Sequence, residues 1–234
     1  NAARQQDRLR LFEIGKSFHG KLEEPVEIVR IAAIATGSAL PEQWDAKAQS
    51  VDFFDIKSDV EAILRLAGDA TQVHYTVADH PALQPGQSAN ITRNDQIIGM
   101  IGKLHPRHAK YFDLKRDVFV FELDAALALA SAAPEASQVS KYPSIRRDIS
   151  VLVDDKISAD DLIQTVASAA PDLISSVRIF DIYRGPGIEA GLKSVALGLI
   201  LQETSRTLTD EDADAAMTAA VRKLQEKFAA ELRE

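Results

Sequence analysis

At 234 residues and 46% hydrophobic content, the chain carries enough apolar surface for two ordinary domains. Its net charge of −8, split evenly on either side of Lys141, excludes a surface that is cationic throughout, and the lack of cysteine excludes disulfides and thiolate metal sites. No apolar run reaches the ~18 residues of a membrane span and the first thirty residues show no secretory pattern, so a cytoplasmic location is expected.

Asn1-Ala2 has the look of a cloning remnant, and a polar lead from Ala3 to Asp7 runs directly into a strand, so a piece of a larger protein is expected. Leu9 to Phe18 and Val26 to Ala35 are long β-type runs; the second, almost continuously apolar, is expected to be buried on both faces of an antiparallel sheet. From Val51 to Gly68, the residues Phe54, Val60, Ile63, Leu64 and Ala67 recur at helical spacing and Gly68 supplies a stop, which predicts an amphipathic helix. Two further strand patterns, 88–93 and 96–102, flank Asn94-Asp95, a pair suited to a tight hairpin turn. Val118 to Leu123 adds another strand. Residues 3–130 therefore read as an α+β module on a mostly antiparallel sheet.

Ser131 to Gln138 is small, polar and interrupted by proline, which places a linker at 131–139 and a second domain at 140–234. There Ile149, Val151 and Val153 alternate as a half-buried strand, and Ser158 with Asp161 caps a helix whose stripe is Leu162, Ile163, Val166 and Ala170. Val177 to Tyr183 is the next strand. Gly185-Pro-Gly187 turns the chain into a third, where Val195, Leu197, Leu199 and Leu201 point one way and Ser194, Ala196 and Gly198 the other. Thr209 with Asp212 opens a last helix striped by Ala213, Met217, Ala220, Val221, Leu224 and Phe228, and Glu231 onward adds a short strand. The order βαββαβ predicts a ferredoxin-like split fold.

Four motifs in this half lie in register with a known domain. Lys141-Tyr-Pro-Ser-Ile-Arg-Arg-Asp148, Phe180-Asp-Ile-Tyr-Arg-Gly185, Gly191-Leu-Lys-Ser194 and Gln202-Glu-Thr-Ser-Arg-Thr-Leu208 together resemble the ferredoxin-fold anticodon-binding domain. Leu11-Phe-Glu-Ile-Gly15, Val51-Asp-Phe-Phe-Asp-Ile-Lys57, His80-Pro-Ala-Leu-Gln-Pro-Gly-Gln87 and Gly102-Lys-Leu-His-Pro106 resemble the adjoining part of the β subunits of bacterial phenylalanine–tRNA ligases. The resemblance covers nearly the whole chain. It implies a non-catalytic module related to class II synthetase folds, an assembly role with a catalytic α subunit in an (αβ)₂ heterotetramer, and binding of the phenylalanine tRNA. It also implies that ATP and Mg²⁺ are used by the holoenzyme with no cofactor in this fragment, and that the editing of mischarged tRNA belongs to upstream domains.

The RNA-binding candidates are Lys141, Tyr142, Arg146, Arg147, Arg184 and Arg206, because arginine pairs bidentately with phosphate and aromatic rings stack on unpaired bases. Against this stands the reading of Arg146 and Arg147 as partners for Asp148 and other surface carboxylates. Strand alternation sends Phe180 and Tyr183 to opposite faces, so at most one is expected to face RNA. His105 and His108 read as capping or surface residues, and Asp52 with Asp55 and Asp154 with Asp155 as turn residues rather than acid–base pairs. No catalytic or metal residue is assigned, for the sequence has neither a G-x-x-x-x-G-K-[ST] phosphate loop nor a G-x-S-x-G nucleophile turn. Trp44, Phe53 and Phe54 are candidate anchors for a partner chain. Two other readings of the βαββαβ order stay open at this point: a small-molecule-sensing regulatory domain of the amino-acid-binding type, and a general RNA-recognition module, although Lys193 to Leu201 lacks the strand aromatics of the latter.

Overall fold

The computed structural model describes residues 6–68, 73–130 and 140–233. The chain divides into two compact units, Asn1–Pro134 and Glu135–Glu234. The linker expected at 131–139 lies outside the described residues.

The first unit is built on a six-stranded antiparallel sheet in the order β1-β2-β6-β5-β4-β3. Its strands are β1 (Arg8–Lys21), β2 (Glu24–Gly37), β3 (Val73–Val77), β4 (Leu83–Arg93), β5 (Gln96–Leu104) and β6 (Val118–Asp124). Asn94 and Asp95 join β4 to β5 at φ 50° and 59°, the left-handed values that a two-residue hairpin turn demands. Helix α1 (Phe53–Leu66) starts at a full capping box: Asp52 accepts from the Phe54 and Asp55 amides at 2.7 and 3.0 Å, and Asp55 accepts from the Asp52 amide at 2.8 Å. Its buried stripe of Ile56, Val60 and Leu64 packs into one core with Ile31, Ala35, Ile91, Ile101, Phe121 and Leu123. Each buried Ile, Val, Leu or Phe side chain contributes about 1.5–3 kcal/mol of burial free energy.

Strand β2 departs from the expectation of burial on both faces. Ile31 and Ala35 enter that core, whereas Ile34, on the opposite face, stays 38% exposed. Helices α1 and α3 (Ala125–Ala128) both feed the core on the Ile31 side, so among the described residues the apolar run meets a partner layer on one face only. The short helix α2 (Pro106–Tyr111) connects β5 to β6 and is capped by His105, whose Nδ1 accepts from the Arg107 amide at 3.1 Å.

The second unit follows the expected order: β7 (Ile145–Asp154), α4 (Ala159–Ala167), β8 (Ile174–Tyr183), β9 (Leu192–Leu201), α5 (Asp210–Phe228) and β10 (Glu231–Leu232). Its sheet runs β10-β7-β9-β8, antiparallel throughout. Val195, Leu197, Leu199 and Leu201 are fully buried against Leu162 and Val166 of α4 and Ala213, Ala220 and Leu224 of α5. Thr209 and Asp212 form the capping box of α5, and Ala229, left-handed at φ 50°, ends that helix and releases the chain into β10. Ser158 caps α4 through the Asp161 amide at 3.0 Å, while the Asp161 carboxylate takes the Ser158 hydroxyl at 2.7 Å rather than returning to the backbone.

Candidate nucleic-acid interface

Both helices described in the second unit take their core from one face of the sheet, and among the described residues the other face carries no helix. Alternation along β7 sends Ile145, Arg147 and Ile149 toward the helices and Arg146, Asp148 and Ser150 to the open face. Opposite them, β9 offers only Ser194, Ala196, Gly198 and Ile200, a shallow floor.

Two arginine–aromatic pairs lie on that floor. Arg146 donates through Nε to Asp148 Oδ1 at 2.9 Å and holds its guanidinium carbon 5.5 Å from the centre of the Phe180 ring. Gly198 makes room for this arrangement, because a Cβ there would stand 3.1 Å from Asp148 Oδ1 and 3.3 Å from Arg146 Nη2. The second pair is Arg233 over Tyr183, 5.6 Å from guanidinium carbon to ring centre. Arg233 is fixed by its own amide, which donates to Ser150 O at 2.8 Å as β10 leaves the edge of β7. The Tyr183 hydroxyl donates to Pro186 O at 3.2 Å, and its ring covers Gly185, where a Cβ would meet the hydroxyl at 2.8 Å.

The expectation that Phe180 and Tyr183 face opposite ways is corrected. Ile179 pairs with Leu197 and Asp181 with Ala196, so Phe180 is the extra residue of a β-bulge. Beyond it the alternation is offset by one, Tyr183 pairs with Ser194, and both rings reach the open face beside their arginines.

Of the six sequence-derived candidates, Arg146 alone belongs to these pairs. Arg147 points to the helix side and pairs with Asp210 at the start of α5, at 2.6 Å. Lys141 is exposed just before β7, and Tyr142 is tied there by its carbonyl, which accepts from Gln202 Nε2 at 2.8 Å. Arg184 pairs with Asp155 at 2.7 Å, in the loop that follows β7. Arg206 forms a fork with Asp212 at 2.6 and 3.0 Å and reaches Glu203 at 3.1 Å, before α5. Arg206 and the Thr209 cap hold the Asp212 carboxyl well below the usual carboxylate range. Beside Asp155, at the other end of β9, Lys193 is buried and donates to the carbonyls of Asp155 and Ile157 at 2.9 and 2.6 Å; burial pulls its ammonium pKa down. Sequence reasoning missed Arg233 and set aside Phe180 and Tyr183. The short terminal strand was legible, but its partner strand, which brings Arg233 onto the face, was not.

The remaining titratable motifs have structural partners. Asp52 and Asp55 cap α1, Asp154 accepts from the Lys156 amide at 2.8 Å, and Asp155 holds Arg184. Among the described residues no cluster of three His, Cys, Asp or Glu side chains has the arrangement to hold a metal ion, and no helix is long and apolar enough to cross a membrane. In the first unit Trp44 is 97% exposed and Phe54 also faces solvent, whereas Phe53 packs against the core.

Comparison with known families covers both units. Residues 1–125 match the phenylalanyl tRNA synthetase beta chain CLM domain, and residues 140–233 match the ferredoxin-fold anticodon binding domain. The chain belongs to the phenylalanine–tRNA ligase β-subunit family. All of it aligns, at 40% identity over 233 residues, with the phenylalanine–tRNA ligase β subunit of Pseudomonas syringae pv. tomato, at 44% over 237 residues with that of Methylococcus capsulatus, and at 42% over 236 residues with that of Xanthomonas euvesicatoria pv. vesicatoria. It spans 29–30% of the length of these relatives. Within this family, then, the second unit is an anticodon-binding fold, and the sheet face opposite its two helices carries both arginine–aromatic pairs.

Proposed function

We propose that residues 140–234 bind the anticodon stem-loop of the phenylalanine tRNA on the open face of β7, β8, β9 and β10. In this reading residues 3–130 hold the catalytic α subunit of an (αβ)₂ phenylalanine–tRNA ligase in the cytoplasm. Charging of tRNA with ATP and Mg²⁺ takes place on that partner, and this chain supplies position rather than bond-making groups. The observation that carries the reading is the pairing of Arg146 with Phe180 and Arg233 with Tyr183 on the sheet face opposite α4 and α5.

The chemistry suits an unpaired loop. Arg146 is held by an exposed carboxylate, an ion pair worth about 0–1 kcal/mol, so a phosphate can replace Asp148 at little cost. Phe180, 54% exposed, and Tyr183 offer ring faces on which bases stack, at about 1–3 kcal/mol for each base. Arg184 and Arg206 are likewise exposed and paired with carboxylates, which makes them rim contacts for the backbone. The family match gives no support to the small-molecule-sensing alternative.

The test is tRNA binding by the assembled ligase. Arg146→Ala and Arg233→Ala are expected to weaken binding and to flatten its salt dependence by about 0.7 in log–log slope for each phosphate no longer neutralised. Arg147→Ala, on the helix side, is expected to change it little. Wild-type affinity for both open-face variants across several salt concentrations would remove this face from the site.

A further inference from the structure

We infer that the corner of the first unit formed by α2 and the turn after it is a second RNA contact, one that takes phosphates on Lys110 and Lys115 and an unpaired base on Tyr111 or Phe112. The inference rests on the reading that the chain handles tRNA, and it concerns a surface separate from the open face of the second unit.

The corner stands apart in charge. Between Lys103 and Asp117 there are five Lys and Arg side chains against two carboxylates, in a chain whose net charge is −8. Lys103 is neutralised by Asp117 at 2.8 Å, and Arg116 by Asp7 at 3.0 Å. Arg107 donates to His108 Nε2 at 3.2 Å and to the Pro81 carbonyl, and among the described residues it has no carboxylate partner. Lys110 and Lys115 are exposed, and among the described residues neither has a carboxylate within ion-pair distance. Both residues line one cleft of about 410 Å³, shared with Lys103, Arg116, Asp113 and Asp117.

Two exposed rings lie between Lys110 and Lys115 in the chain. Tyr111 is 82% and Phe112 63% exposed, and they meet edge to face with centres 5.0 Å apart. The backbone fixes them there: the Leu114 amide donates to Ala109 O at 2.8 Å, and Asp113 turns left-handed at φ 51°, which ends α2 abruptly. Exposed aromatics alone would suit a protein partner equally well, since interfaces favour Tyr and Phe. Interfaces also deplete lysine, however, whereas single-stranded nucleic acid is bound where cations line a groove beside stacking rings. The combination seen here therefore favours RNA.

The test uses the full-length subunit assembled with its partner and the phenylalanine tRNA as probe. With two phosphates no longer neutralised, Lys110→Ala/Lys115→Ala is expected to bind roughly 25-fold more weakly near 0.1 M salt, with a log–log salt slope shallower by about 1.4. Tyr111→Ala/Phe112→Ala is expected to lose about 5- to 150-fold, the range for one stacked base, with the slope unchanged. Wild-type affinity and slope in both double variants would overturn the inference, and loss of the partner subunit in their place would assign the corner to protein. If Arg146→Ala or Arg233→Ala weakens binding while these variants do not, this inference falls alone; if both open-face variants bind normally as well, the proposed function falls with it.

Discussion

Gly198 offers the sharpest handle on the open face. A methyl group added there meets only side-chain ends, at 3.1 Å from Asp148 Oδ1, 3.3 Å from Arg146 Nη2 and 3.5 Å from Arg146 Nε. Both partners are exposed, and displacing such a pair costs about 0–1 kcal/mol, while replacing a strand glycine by alanine returns about 0.5–1 kcal/mol of backbone entropy. Gly198→Ala should therefore leave stability within ~1 kcal/mol of wild type. Gly198→Val raises the floor further and drives the Arg146 guanidinium off Phe180. Removing one charge-assisted hydrogen bond, about 1.5–3 kcal/mol, then corresponds to roughly 10- to 150-fold weaker tRNA binding. The contrasting position is Gly99 in β5, where a Cβ would lie 2.4 Å from Glu122 O and 3.1 Å from Leu123 Cα. Those are backbone atoms of the paired strand and cannot swing aside, so Gly99→Ala should destabilise by about 1–3 kcal/mol. Denaturant unfolding and tRNA titration of the three variants measure both effects. A folded Gly198→Val protein with wild-type tRNA affinity would refute the reasoning, as would a Gly198→Ala protein as unstable as Gly99→Ala.

Leu199→Ala, at a fully buried position in the central strand of the second sheet, should cost about 2–5 kcal/mol in denaturant unfolding, and a change below ~1 kcal/mol would contradict the packing described. Because the folded-state pKa of Asp212 is depressed, its contribution to stability is present above the ordinary carboxylate pKa near about 4 and is lost as pH falls below it. Acid unfolding of the wild type against Asp212→Asn should show the difference in stability closing below about pH 4, and a constant gap would refute it. Trp44→Ala should leave the stability of the chain within ~0.5 kcal/mol while reducing co-purification of the α subunit; marked destabilisation would show that the ring is packed after all.

Much of the second unit was legible because its signals are local. The alternation of Val195, Leu197, Leu199 and Leu201 needs only neighbouring residues to be read, and so do the caps at Ser158 and Thr209. The same holds for Asn94-Asp95 and α1. What escaped depends on partners distant in sequence. Burial of β2 on both faces was inferred from its apolar run, but whether a second layer covers the Ile34 face is not written in β2 itself. Arg146 and Arg147 were grouped as one cationic motif, although adjacent residues of a strand must face opposite ways, and the structure sends Arg147 to Asp210. The bulge at Phe180 leaves no mark in the pattern of β8, and it alone brings Phe180 and Tyr183 to the same face. Strand β3 and helix α3 were not anticipated. Each is short, and α3 has only four residues in which to declare a period.

The central claim is that RNA lies on the open face of the second sheet and not on its helices. Footprinting of surface side chains in the assembled ligase, with and without the phenylalanine tRNA, tests this most directly. Bound tRNA is expected to protect Phe180 and Tyr183 while leaving the solvent-facing side of α5, around Arg222 and Glu226, as reactive as before. Protection of α5 with Phe180 and Tyr183 unchanged would contradict it.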